Sequence, residues 1–223
     1  MDCLECGEEL QLPNEFISYT KIPRLSRECL ITEKIDGTNA QIYIKYGKIV
    51  GVGSKNRWIT SENDNFGFAR WVKQHDAEIL GLGDGRHYGE WWGVGIQRGY
   101  DLSERRFTLF RAPKYGELPY PLIKLVPILY EGLFTTQVAE SVISNLAFTG
   151  SHAVPGYMKP EGIVIFHKAS GQLFKKTIEH DEESKEAHER RIKHEEKLNV
   201  TSTDSTIDTG DKAVVGSNTE SHS

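Results

Sequence analysis

Thr32-Glu33-Lys34-Ile35-Asp36-Gly37-Thr38-Asn39-Ala40 sets a lysine and an acid ahead of a glycine, immediately before residues 40–46, in which apolar and polar side chains alternate. That period of two is the mark of a strand with one buried face. Gly47 and Lys48 form a turn and residues 49–53 return, so the stretch predicts a β-hairpin entered through a Lys-x-Asp-Gly loop. The glycine lets backbone approach a ligand closely. A lysine becomes a nucleophile once its amine is deprotonated, which burial or neighbouring positive charge achieves. Alone, the tetrapeptide is equally the composition of a surface turn.

Outward from this hairpin, strand signals dominate. Residues 161–167 and 172–178 make a second hairpin around Lys168-Ala169-Ser170-Gly171, and residues 88–93 and 106–111 read as further strands. Residues 65–80 place Phe68, Ala69, Val72, Ala77 and Ile79 at helical spacing, with Gly81 as a stop, and Thr135 or Thr136 can cap a second helix through Val138, Val142, Ile143 and Leu146. Hairpins with a few inserted helices predict an α+β domain of antiparallel sheets, not a Rossmann fold. Neither G-x-G-x-x-G nor G-x-x-x-x-G-K-[ST] is present to cradle phosphates.

The chain has 223 residues, 27 Lys and Arg against 32 Asp and Glu, and 38% hydrophobic residues, an ordinary soluble composition that suits one domain with appendages. Residues 118–134 are the longest apolar stretch, but Lys124, Glu131 and three prolines interrupt it, which excludes a membrane-spanning helix. The acidic start, MDCLECGEEL, does not resemble a signal peptide, so the chain is expected in the cytoplasm. Cys3 and Cys6 resemble half of a zinc ribbon, but the one other cysteine is Cys29, so they read as incidental thiols.

The net charge of −5 hides an uneven distribution. Residues 1–15 carry five acids and no base, and residues 179–223 carry twelve acids and six bases, which leaves residues 16–178 with 21 bases and 15 acids. A core of net +6 can follow a phosphate backbone, although enzymes of small phosphates share that balance. Four regions result: an acidic extension over 1–15, a core over 16–180, a solvated charged helix over 181–198, and a tail over 199–223 whose composition predicts disorder.

Five further segments resemble, in order with the first, the motifs of covalent nucleotidyltransferases. EKIDGTN is similar to motif I, SKNRWI at 54–59 to motif Ia, and YGEWWGVGIQRGY at 88–100 to motif III. RFTLFR at 106–111 is similar to motif IIIa, PEGIVI at 160–165 to motif IV, and LFKKT at 173–177 to motif V. Asn39 separates the relatives, because DNA ligases and capping enzymes usually show K-x-D-G-x-R where this chain has K-x-D-G-T-N. The chain therefore resembles the ATP-dependent RNA ligases, in their RNA ligase 2-like and small phage-type branch, over residues 20–180. The resemblance implies an ATP-grasp-like adenylation domain.

The resemblance also implies roles. Lys34 would attack the ATP α-phosphate and hold AMP as a phosphoramidate, with Glu33 beside the adenine, Asn39 near the phosphates or the RNA end, Glu90 on the ribose hydroxyls and Phe110 stacked on the base. Lys55 and Arg57 would approach the ribose or an RNA phosphate, and Gln97 the nucleotide or 5′-phosphate. Glu161 would hold Mg²⁺ or Mn²⁺. Lys175 and Lys176 would neutralise the α-phosphate, a departure from the family's K-x-K; adjacent strand residues point to opposite faces, and Lys175 is the one expected at the phosphate. Trp91 and Trp92 are expected to pack, one on each face.

The implied partners are RNA ends, a 5′-phosphate and a 3′-hydroxyl, with no membrane and a monomer favoured; a phage-encoded chain would work in its host's cytoplasm. No OB-fold is expected after motif V, because residues 179–223 are too polar to form one. The alternatives are a DNA ligase or guanylyltransferase, which Asn39 and the expected absence of an OB-fold disfavour, and an RNA-end-binding module that does not seal.

Overall fold

The computed structural model describes residues 15–110, 122–182 and 190–193, and the chain divides into one unit up to Lys176 and a second from Thr177 onward. In the second unit Thr177 donates its backbone N–H to Asp181, and residues 190–193 are helical. The acidic extension, apart from Glu15, the tail and most of the charged helix lie outside the described residues, as do Cys3, Cys6 and Arg111.

The first unit is built on two sheets. Among the described residues, nine strands supply them: β1 (Glu28–Lys34), β2 (Thr38–Lys45), β3 (Lys48–Ser54), β4 (Gly85–Gly93), β5 (Arg105–Leu109), β6 (Lys124–Leu125), β7 (Ile128–Leu133), β8 (Gly162–His167) and β9 (Gln172–Thr177). One sheet has the order β7-β1-β8-β9 and the other β3-β2-β4-β5-β6. The second is mixed, because the two-residue strand β6 runs parallel to β5; the other pairings with a resolved register are antiparallel.

Both hairpins expected from the pattern form, and the helix over residues 136–149 (α3) starts where Thr135 accepts a hydrogen bond from the Val138 N–H. The expected helix over residues 65–80 is broken into α1 (Phe68–Gln74) and α2 (Asp76–Leu80), because His75, at φ −124° and ψ 28°, leaves the helical region. Asp64 opens α1 from outside it, its carboxylate accepting from the backbone N–H groups of Ala69 and Arg70 at 2.8 and 3.1 Å.

Alternation along the strands decides which side chains reach which face. Ala40, Ile42 and Ile44 of β2, Trp91 of β4 and Phe107 and Leu109 of β5 point to one side, where Phe68 and Val72 of α1 and Ile79 of α2 cover them. Phe68 packs 5.0 Å from Phe107 and 5.3 Å from Trp91, ring centre to ring centre. Burying each such ring contributes about 2–3 kcal/mol. Trp92 points the opposite way into a smaller cluster with Ile35, Tyr100 and Val126. The two tryptophans do face opposite sides, and both are buried because both faces of β4 are covered.

The chain passes from one sheet to the other through Ile35-Asp36-Gly37, which joins β1 to β2. Lys34 ends one sheet and Thr38 begins the other, so the Lys-x-Asp-Gly loop is the seam between them.

Candidate active site

At this seam the last residue of β1 meets the residue preceding β8. The Lys34 Nζ donates to Glu161 Oε2 at 2.6 Å, and the Glu161 side chain is only 2% exposed against 24% for Lys34. The register that makes this possible pairs Lys34 with Gly162, directly after the glutamate.

The other sheet supplies a second carboxylate. Asn39 stands opposite Glu90 in the β2–β4 ladder, and its Nδ2 donates to Glu90 Oε2 at 3.3 Å, while the Gly37 N–H donates to Oε1 at 3.1 Å. A Cβ on Gly37 would lie 2.5 Å from the Trp91 carbonyl oxygen, so the close approach of loop to strand requires glycine there. Burial raises the Glu90 carboxyl to about 8; the Lys34 ammonium opposes that rise, and the negative charge of Glu161 adds to it. Glu90, Lys34 and Glu161 therefore share one electrostatic environment across the seam.

Thr108 of β5 stands beside Glu90 and accepts from the indole N–H of Trp92 at 2.9 Å, which fixes the strand that leads to Phe110. Phe110 is 38% exposed, whereas Phe107 is buried in the core, so Phe110 is the aromatic of this strand with a free face. On β9, Lys176 pairs with Glu140 of α3 at 3.2 Å. Strand alternation then turns Lys175 to the opposite face.

Two expected residues have their side chains engaged with other partners, and two are exposed. Glu33 departs most clearly: it is 1% exposed, and its carboxylate accepts from Ser151 Oγ and from the backbone N–H groups of His152 and Ala153 at 2.8 and 2.9 Å. As Lys34's neighbour on a strand it must point to the other face, so its carboxylate anchors the loop after α3 instead of standing beside a base. Arg57 is occupied in its own loop, donating to the carbonyls of Asn63 and Asp64. Lys55 is exposed in that loop, and Gln97 is exposed with φ of 48°.

Two residues that pattern reading passed over join the seam. Arg98 donates from Nε to Asp36 Oδ2 at 3.1 Å and from Nη1 to the Lys159 carbonyl at 3.1 Å. The Tyr100 hydroxyl accepts the Asp36 backbone N–H at 2.9 Å from a wholly buried position. Arg98 and Tyr100 lie inside the stretch similar to motif III, and the one available signal was a cation and an aromatic flanking a glycine. Val164, opposite Thr32 in the β1–β8 ladder and on the Lys34 face, was likewise unassigned.

Two sheets thus meet at a lysine that is ion-paired to a buried glutamate, with a second buried carboxylate across the seam. The RNA ligase family model matches residues 27–177, and the chain belongs to that family. Among solved structures, a glutamate-to-alanine variant of Naegleria gruberi RNA ligase with AMP and Mn is similar at 23% identity and a TM-score of 0.51, over 74% of this chain and 56% of that one. A lysine-to-methionine variant with AMP and Mn aligns at 22% identity and 0.49, over 74% and 57%. A lysine-to-alanine variant with ATP and Mn aligns at 24% and 0.48, over 67% and 48%. The first of these likenesses supports the fold, and the chain spans little more than half of that ligase's length. No curated protein matches. No helix among the described residues is long and apolar enough to cross a membrane.

Proposed function

We propose that this chain is an ATP-dependent RNA ligase that forms lysyl-AMP on Lys34, transfers the AMP to an RNA 5′-phosphate and joins that end to a 3′-hydroxyl. The observation that carries the reading is the 2.6 Å pair between Lys34 and the buried Glu161, placed at the seam of two sheets in a chain of the RNA ligase family. In the first step the Lys34 nitrogen forms a bond to the α-phosphorus, the bond to pyrophosphate breaks, and pyrophosphate leaves with the electron pair. The amine must first shed a proton, and Glu161 Oε2 is the nearest acceptor. Lys175, on the face opposite the Glu140 pair, supplies positive charge to the phosphate. Glu90 takes the ribose hydroxyls and Phe110 stacks on the adenine.

The donor set fits a divalent cation of the magnesium kind. Glu161 offers one buried carboxylate, and Mg²⁺ commonly uses one or two carboxylates with water and substrate phosphates. Glu161 would hold it. When bound, the cation neutralises phosphate charge.

Incubation of the protein with α-labelled ATP and Mg²⁺ or Mn²⁺, followed by a denaturing gel, should give a labelled band that Lys34→Ala abolishes. Label from GTP instead would favour a guanylyltransferase. The absence of label with either nucleotide and either metal would refute adenylylation.

A further inference from the structure

We infer that Arg98 is a positioning residue that clamps the two sheets together at the seam and so sets the reach of Lys34 toward its reaction partner. The inference rests on the adenylyltransferase reading above. Arg98 lies in the loop between β4 and β5, hence in the five-stranded sheet's half of the unit. Two of its hydrogen bonds leave that half in two directions. One goes to Asp36, two residues after Lys34; the other goes to the carbonyl of Lys159, two residues before Glu161. One planar guanidinium thereby fixes the segments on either side of the 2.6 Å pair, a two-directional bond that a lysine ammonium on a flexible stem does not reproduce.

The support beneath Arg98 is rigid. Tyr100, two residues on, accepts the Asp36 N–H at 2.9 Å, and its ring packs 4.8 Å from Trp92 and 4.7 Å from Tyr157. Tyr100 holds φ of 54°, a left-handed conformation unusual for an aromatic residue, and it is wholly buried. Strain of this kind persists where surrounding contacts over-determine it. Asp36, 5% exposed, is thus held from its backbone by Tyr100 and from its carboxylate by Arg98. The acid of Lys-x-Asp-Gly then acts through geometry: it is the point at which motif III grips motif I.

The test uses the full chain with Arg98→Met and Arg98→Lys. A displacement of about 1 Å at a reacting group costs about 100-fold, so Arg98→Met should slow lysyl-AMP formation at saturating ATP by about that factor with the ATP KM changed less than about threefold, and Arg98→Lys should fall between. A second readout requires no turnover: acetic anhydride labelling of Lys34 at pH 8, followed by peptide mass spectrometry with the exposed Lys45 as reference. Loosening of the Lys34–Glu161 pair in Arg98→Met should raise relative Lys34 labelling several-fold. A raised KM with an unchanged saturating rate would make Arg98 a nucleotide ligand and overturn the inference. Unchanged Lys34 labelling would overturn it too, as would a rate loss matched by the unfolded fraction. If wild-type protein makes no adduct, the functional reading fails, and the labelling comparison still decides the clamp.

Discussion

Lys34 and Glu161 stand 127 positions apart in the chain and 2.6 Å apart in space, and the glutamate is the more deeply buried partner. The asymmetry predicts different outcomes for the two ends of the pair. Lys34→Ala leaves a carboxylate stranded in a buried site, so it should abolish the adduct and also lower stability by about 1–3 kcal/mol at pH 8, measured by urea unfolding. Glu161→Gln removes the buried charge and keeps the shape, so its stability should stay within about 1 kcal/mol while adenylylation falls at least about 100-fold.

Glu90 gives the pH dependence. Its carboxyl titrates at about 8 in the folded protein against 4.5 for the ordinary group, so the folded state holds the proton more tightly than the unfolded chain. Stability contributed by that proton is fully present below about 4.5 and is lost as pH rises through about 8. Glu90→Gln should therefore melt close to wild type at pH 5 and clearly above it at pH 8. Calorimetric melting at the two pH values checks this, and a difference that does not widen with pH would refute it.

Much of the sheet architecture was legible because β2, β3, β4, β8 and β9 announce themselves through alternation or a turn, and Thr135 through its capping position. Strand β1 was hidden for a physical reason: its inward series runs Cys29, Ile31, Glu33, and a charged residue at a core position breaks the pattern. The partners that satisfy Glu33 lie about 120 residues away, beyond any local signal. Strand β7 was obscured by the prolines that precede it. At the site, Lys34, Asn39, Glu90 and Glu161 could be chosen by motif, whereas Arg98 and Tyr100 matter through tertiary contacts that spacing does not encode.

The same hidden network separates a structural glutamate from an adenine ligand. Glu33→Gln should lower stability by about 1–3 kcal/mol, because the loop N–H groups of His152 and Ala153 lose a charged acceptor. Ser151→Ala should act similarly, since its hydroxyl both donates to Glu33 and accepts from the Val154 N–H. ATP affinity measured by calorimetry well below the melting temperature should change less than about threefold in both. A tenfold loss confined to Glu33→Gln would restore the adenine contact.

Adjacent lysines on one strand divide their work between its two faces. Lys176 is held at 3.2 Å by Glu140, whose side chain is 64% exposed, so the pair contributes about 0–1 kcal/mol, and Lys176→Ala should leave adduct formation within about threefold of wild type. Lys175→Ala removes the cation on the opposite face, where the α-phosphate is proposed to lie, and should slow adduct formation by about 100-fold at saturating ATP. Single-turnover labelling of the two variants decides between the faces: if Lys176→Ala proves the slower, β9 must carry a bulge under load, and the family's two-lysine arrangement is restored by a shift in register.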